Sequence, residues 1–223
     1  MNFTARLAPL FFLSVIHAQA ITVTNTNDSG AGSLRQALVD APSGDVITFE
    51  ATLDGQTLTL SSGQLVINSD LSIDASALAN GFTIDANASE NDRRRVLLIE
   101  SDITASFTNL TFTGGWTADG VDGLEVTDGP DGSDASIGGN ADDGGGIYIN
   151  PGCNITITDS TVSNNRTGNG GRGGDHNEDS FTRGGDGGNS GEGGGIFVID
   201  SQLNLFFTTV SGNQTGKGGD GGK

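Results

Sequence analysis

The feature that most restricts what this chain can fold into is a repeat. Gly144 opens a unit that reads GGGIYINPGCNITITDSTVSNNRTGNGG, and Gly193 opens one that reads GGGIFVIDSQLNLFFTTVSGNQTGKGG. The triple-glycine starts lie 49 residues apart, and the Thr-Val-Ser triplets at Thr161 and Thr209 lie 48 apart. Each unit holds three small apolar blocks. They are Ile147–Ile149, Ile155–Ile157 and the segment around Val162, then Ile196–Val198, Leu203–Leu205 and the segment around Val210. Units of this size cannot bury an apolar face alone, so they stack on one another. Three short strands per circuit, joined by tight turns, is the layout of a parallel β-helix coil.

The rest of the chain agrees with that layout. Short runs rich in Ile, Leu, Val and Thr recur at Thr57–Leu60, Leu65–Ile67, Leu71–Ile73, Phe82–Ile84, Val96–Ile99, Ile103–Phe107 and Leu110–Phe112. Each is followed within two residues by Asn, Asp, Ser or Gly, as strands are. No long helical pattern separates them, so βαβ units are excluded. Alternation places Ile155 and Ile157 inward and Thr156 and Thr158 outward. Thr156 and Thr158 read as a single outward rung. Asn165 and Asn213 sit where a turn tolerates left-handed backbone and where side-chain amides can stack between coils. Asp74 and Asp85 read as turn residues after their strands.

The N-terminal stretch reads differently. Residues 1–20 combine Arg6, an apolar run from Leu7 to Ile16 and Ala18-Gln19-Ala20. That is the pattern of a secretory signal peptide cleaved before Ile21, too short to span a bilayer stably. Residues 21–50 then form a cap: a strand at Ile21–Thr24, a short amphipathic helix over 33–40 with Ser33 as N-cap, and the strand in DVITFE. Leu34 and Leu38 are placed to cover the first coil, whose edge needs protection. Residues 51–223 make up the coils. The single cysteine, Cys153, excludes an internal disulfide.

Two acidic, glycine-rich insertions interrupt the coils, at 114–143 and 168–194. The first carries Asp119, Asp122, Glu125, Asp128, Asp131, Asp134, Asp142 and Asp143. The second carries Asp175, Glu178, Asp179, Asp186 and Glu192. They read either as solvated acidic loops or as loops wrapped on calcium, for which carboxylates on a flexible chain are the usual ligands. GGRGGDHNE at 170–178 fits the Gly-Gly-x-Gly-x-Asp part of a calcium-binding β-roll repeat, with Asn177 at its apolar position. The candidate calcium ligands are Asp175, Glu178, Asp179 and Asp186. With 28 acids against 10 Lys plus Arg, a net of -18, the chain repels nucleic acid and anionic lipid and attracts cations.

No catalytic constellation is recognisable. Arg93-Arg94-Arg95 is the one basic cluster, beside Glu90 and Asp92. It reads as a solvated turn paired with its own acids, or as the proton-abstracting group of a polysaccharide lyase. Trp116 and Tyr148 offer π-faces for stacking on a sugar.

Several of these stretches resemble a known group. ITVTNTNDSGAGSLRQAL followed by GDVITFE resembles the N-terminal cap of large bacterial surface and secreted β-helix proteins, and LSIDASALANGFTIDAN and NLTFTGG resemble their early coils. The Gly-Gly-Gly-Ile units resemble the Gly-Gly-Ala-Ile repeats of polymorphic outer-membrane proteins and related autotransporter adhesins. Val162 to Asn165 and Val210 to Asn213 match that family's Phe-x-x-Asn motif with Val in place of Phe. The resemblance covers nearly all of the chain after residue 20. It implies an all-β, pectin-lyase-like right-handed parallel β-helix with a short N-terminal capping helix, at the cell surface, outer membrane or outside the cell. It implies a structural or adhesive role toward a host or matrix surface, glycan or protein. The alternative it implies is a polysaccharide lyase or hydrolase of the same fold. GKGGDGGK stops inside what reads as another glycine loop, so the chain is expected to be a fragment of a longer protein.

When the chain is expressed in a bacterium with residues 1–20 intact, the recovered protein should begin at Ile21. N-terminal sequencing checks this, and an intact Met1 would remove the export reading.

Overall fold

The computed structural model describes residues 20–126, 135–176 and 183–223. Within them the chain is mostly β, with three parallel sheets and one α-helix. The strands are β1 (Ala20–Val23), β2 (Asp45–Phe49), β3 (Thr57–Thr59), β4 (Leu65–Ile67), β5 (Leu71–Asp74), β6 (Phe82–Asp85), β7 (Leu97–Ile99) and β8 (Thr104–Thr108). They continue with β9 (Leu110–Thr113), β10 (Ile147–Ile149), β11 (Asn154–Thr158), β12 (Thr161–Ser163), β13 (Ile196–Val198), β14 (Gln202–Phe206) and β15 (Thr209–Ser211). Helix α1 spans Leu34–Asp40.

From β2 onward the chain visits the sheets in rotation. The six-stranded sheet runs β1-β2-β5-β8-β11-β14, the five-stranded one β15-β12-β9-β6-β3 and the four-stranded one β13-β10-β7-β4. Every pairing is parallel and joins a strand to its counterpart one circuit away. Val46 pairs with Ser72, 26 residues on, whereas Thr156 pairs with Ser106, 50 residues back. The later circuits are longer because each carries one of the glycine-rich segments.

Alternation sets the core. Ile155 and Ile157 are fully buried, while Thr156 and Thr158 are half-exposed on the outer face. Side chains of equal register stack: Ile47, Ile73, Phe107 and Ile157 form one buried column along the six-stranded sheet. Burying each such side chain is worth about 1.5–3 kcal/mol. Phe107 meets Phe112 of the neighbouring sheet edge-to-face, at 5.8 Å between ring centres.

The corners between sheets recur in register and share one backbone state. Gly114, Asn164 and Gly212 each follow a strand of the five-stranded sheet with positive φ, at 71°, 55° and 65°. The left-handed residue is therefore Asn164, one before the asparagine that the sequence suggested. Asn165 instead turns inward and is buried. Its Oδ1 accepts from Gly115 N–H, its Nδ2 donates to Phe112 O, and its backbone N–H donates to Asn213 Oδ1. The amide stacking between coils is thus as expected. Asp74 and Asp85 cap turns, accepting the N–H groups of Ser76 and Asn87.

Helix α1 closes the first circuit. Ser33 caps it by accepting Gln36 N–H, and Leu34, Ala37 and Leu38 are buried. Arg35 fixes its position. The guanidinium donates to Asp28 and to the carbonyls of Gly63 and Gln64. Asp28 in turn accepts the N–H groups of Ser61 and Ser62. Burial raises the Asp28 carboxyl, but the bonds from Arg35, Ser61 and Ser62 outweigh it and hold the group far below the usual carboxylate range. A depressed folded-state pKa means stability that is present above the ordinary value of 3.8 and lost as pH falls below it.

Asp28→Asn should therefore cost about 2 kcal/mol at neutral pH. The difference from the parent should shrink as pH drops below 4, as read from denaturant melts across pH. A constant difference down to pH 2 would remove the ion pair as its cause.

Candidate functional site

The two glycine-rich segments, with the chain after β15, form a block beside the sheets. After β9 the chain leaves along 117–126 and returns along 135–143. After β12 it leaves along 167–176 and returns along 183–192. After β15 it leaves along 215–223. Residues 127–134 and 177–182 lie outside the described residues. Asp128, Asp131, Asp134, Glu178 and Asp179 lie there with them.

These rows are held by backbone bonds with a period of three. Thr117, Gly120, Gly123 and Val126 donate to Arg166, Asn169, Arg172 and Asp175. Thr167, Gly170, Gly173 and His176 donate to Gln214, Lys217, Asp220 and Lys223. The outgoing rows are thus parallel to one another. Return rows run antiparallel to them: Gly139 donates to Val121, Gly171 to Gly139, Gly188 to Gly171 and Gly219 to Gly188. Three residues per turn is the polyproline II period, and that conformation has no bonds within its own strand. Its N–H and C=O groups must find neighbouring chains, and here each row supplies them to the next.

Such packing leaves no room for side chains between rows. A Cβ on Gly171 would overlap the carbonyl of Val121, and one on Gly188 the carbonyl of Gly139. Val121 and Leu124 occupy the same register in the first row, where no earlier row among the described residues lies against them, and they are largely exposed. The third residue of each triplet points outward, and there the acids and amides fall. Asp119 Oδ1 accepts Asn169 N–H, and Asn169 Oδ1 accepts Lys217 N–H. Asp122 accepts from Arg172, Asp175 from Lys223, Asn140 from Asn189 and Asp143 from Glu192. The segments read as loops are, where described, a two-layered sheet of extended rows. The signal was present as Gly-Gly-x triplets at 170–175 and 218–222, obscured in the first row by Val121 and Leu124.

Of the calcium candidates, Asp175 and Asp186 lie among the described residues. Asp175 is paired with Arg172. Hydrogen bonds from Arg172 and Lys223 N–H lower its pKa. Asp186 stands on the neighbouring return row, where its carbonyl accepts Gly138 N–H. Among the described residues no group of three or more Asp, Glu, His or Cys is arranged to hold a metal.

The arginine cluster divides among three tasks. Arg94 is buried, donating to Leu60 O and Ala86 O and paired with Asp92. Arg93 binds Asp119 and lies over the Trp116 ring at 3.6 Å. Arg95 donates to Asp143 O and Gly144 O and faces Tyr148 at 4.9 Å. Arg166 also lies over the Trp116 ring, at 4.5 Å, and Tyr148 packs on Phe197 of the next circuit. Both aromatic rings are therefore engaged in contacts along the coils.

The outer face of the six-stranded sheet carries a different surface. Ser72, Ser106, Thr156 and Asn204 share one outward column, and Thr48, Asp74, Thr108 and Thr158 another. Thr156 and Thr158 belong to ladders, not to a single rung. A shallow groove of about 430 Å³ runs over this face, lined by Asp70, Ser72, Thr104, Ser106, Asn154 and Thr156. Against known proteins, the chain matches no protein family, no curated protein and no solved structure.

Gly188→Ala should cost about 1–3 kcal/mol, as overpacking does. It should speed amide hydrogen exchange at Gly171, Gly188 and Gly219 while leaving Ile155 and Ile157 protected. Uniform loss of protection across both regions would show that the glycine block and the sheets unfold as one.

Proposed function

We propose that the three sheets are the faces of a right-handed parallel β-helix, and that the chain is an exported bacterial surface or extracellular module with a structural or adhesive role. The observation that carries this reading is the outer face of the six-stranded sheet, with its columns of hydroxyls, amides and a carboxylate over a shallow groove. Groups of this kind, repeated in register on a flat sheet, suit a polar polymer such as a glycan. The partner is then a host or matrix glycan, met through many weak hydrogen bonds.

The use of the charged groups supports the same reading. Arg93, Arg94 and Arg95 are tied to carbonyls, acids and rings that hold successive circuits together. Asp119, Asp122, Asp143 and Asp175 serve as acceptors for neighbouring rows. The groups that a lyase would need are thus engaged in assembly. The signal-peptide pattern of residues 1–20 supplies the export. Among the described residues no helix is long and apolar enough to cross a membrane.

The test is to incubate the protein with acidic and neutral polysaccharides, with and without calcium, and to follow polymer length by size-exclusion chromatography. Co-elution with one polymer at unchanged length is expected, reduced at least tenfold by Ser106→Arg with Thr156→Arg at unchanged melting temperature. Shortening of any polymer would replace the adhesive reading with a catalytic one.

A further inference from the structure

One cavity has a lining unlike the rest of this acidic surface. It lies where the chain turns out of the five-stranded sheet, and its volume of about 300 Å³ is near the lower bound of pockets that take a small ligand. Ala88, Gly114, Trp116, Asn164, Arg166 and Gln214 line it, so it spans four successive circuits. The backbone makes the room. Gly114, Asn164 and Gly212 follow paired strands in one register, all with positive φ, and two of the three bring no side chain. Trp116, Arg166 and Gln214 stand two residues further on, bridged in register.

In a chain with 28 acids, no carboxylate lines this cavity. Asp85, which reaches over Gly114, uses Oδ1 to accept Asn87 N–H. The polar groups that do line it are short of acceptors. The Trp116 indole Nε1 is buried and has no hydrogen-bond partner among the described residues. Arg35, Arg93, Arg94 and Arg172 each hold a carboxylate, whereas Arg166 makes no ion pair among the described residues. Its guanidinium has one long bond, 3.5 Å to Asn169 Oδ1, an oxygen that also accepts Lys217 N–H. The Asn164 side chain is exposed, with its amide unbonded among the described residues.

We propose that this cavity binds the carboxylate-bearing sugar unit of an acidic glycan. The carboxylate takes the Arg166 fork, whose planar donors match its two oxygens. Arg166 is one of the groups that cover the indole, at 4.5 Å. As it turns to the carboxylate, Trp116 Nε1 gains the acceptor that it lacks, which removes the cost of a buried, unpaired donor. The Asn164 amide meets a ring hydroxyl. The sugar class rests on the reading of the chain as a glycan-binding module, and the negative charge is what the cavity adds to it.

Trp116 is the one tryptophan in the chain, so intrinsic emission reports on this cavity. Titration with glucuronate at constant ionic strength should shift that emission saturably, at concentrations at least tenfold below those at which glucose or sulfate acts. Arg166→Gln should weaken the response at least tenfold. Asn164→Gly should weaken it severalfold at unchanged melting temperature, since the same register carries glycine in the circuits on either side. If Arg166→Gln lowers the melting temperature, the Asn164→Gly result decides. No saturable shift with glucuronate overturns the proposal. An equal response to glucose overturns the charged ligand, an equal response to sulfate overturns the sugar, and a response unchanged in both variants overturns the site. Ser106→Arg with Thr156→Arg, on a different sheet, should leave the titration as it is. Loss of polymer co-elution and loss of this response are thus read apart.

Discussion

Each circuit of this chain satisfies its backbone on the circuit before it, and almost everything else in the structure is a consequence. A short strand such as Ile147–Ile149 has no antiparallel hairpin partner beside it. Its N–H and C=O groups are met by Leu97–Ile99 on one side and Ile196–Val198 on the other. In-register pairing then forces like on like along the stack. Phe107 lies on Ile157, Asn165 on Asn213, and Thr111 beside Thr161. The repeat in the sequence is the trace of that constraint, because each position answers to its equivalents one circuit away.

The glycine block applies the same constraint with the core removed. In the sheets, alternate side chains fill the inner face and the backbone bonds lie in the sheet plane. In the rows, bonds leave the strand in three directions, and the side chains that would obstruct two of them are absent. What remains is the third direction, where Asp119, Asn169, Asp122 and Asp175 face solvent and cap N–H groups of the next row. The acidity of the segments therefore has a local cause. A carboxylate or amide oxygen is what an outward backbone N–H needs, and a row of them produces much of the negative charge.

The strands were readable because their period is two and their residues are β-branched or aromatic. Leu65–Ile67, Ile147–Ile149 and Ile196–Val198 fall where alternation puts them, and Ser33 caps α1 as its position indicates. The glycine rows were less legible because the usual patterns of order are patterns of side chains. A segment whose order comes from lacking them resembles a loop until its period of three is noticed. The roles of Trp116 and Tyr148 were hidden for another reason. Alternation shows that Tyr148 faces outward but not that Arg95 and Phe197 already occupy its faces. The displacement from Asn165 to Asn164 is of the same kind, since two adjacent asparagines differ in role only through the circuit above.

The unequal length of the circuits also gives the chain a direction of assembly. Closing the first circuits brings together residues about 26 apart, as with Asp45 and Leu71, while the later ones join residues about 50 apart, as with Thr104 and Asn154. Loop-closure entropy grows by roughly 0.6 kcal/mol per doubling of length, so the early circuits close at lower cost. They also lie beneath α1, which shields their free end from the outset. Each later circuit then docks on a surface already formed, and its glycine row on a row already laid down. A chain emerging N-terminus first can be completed from the capped end onward, in the order in which its residues become available.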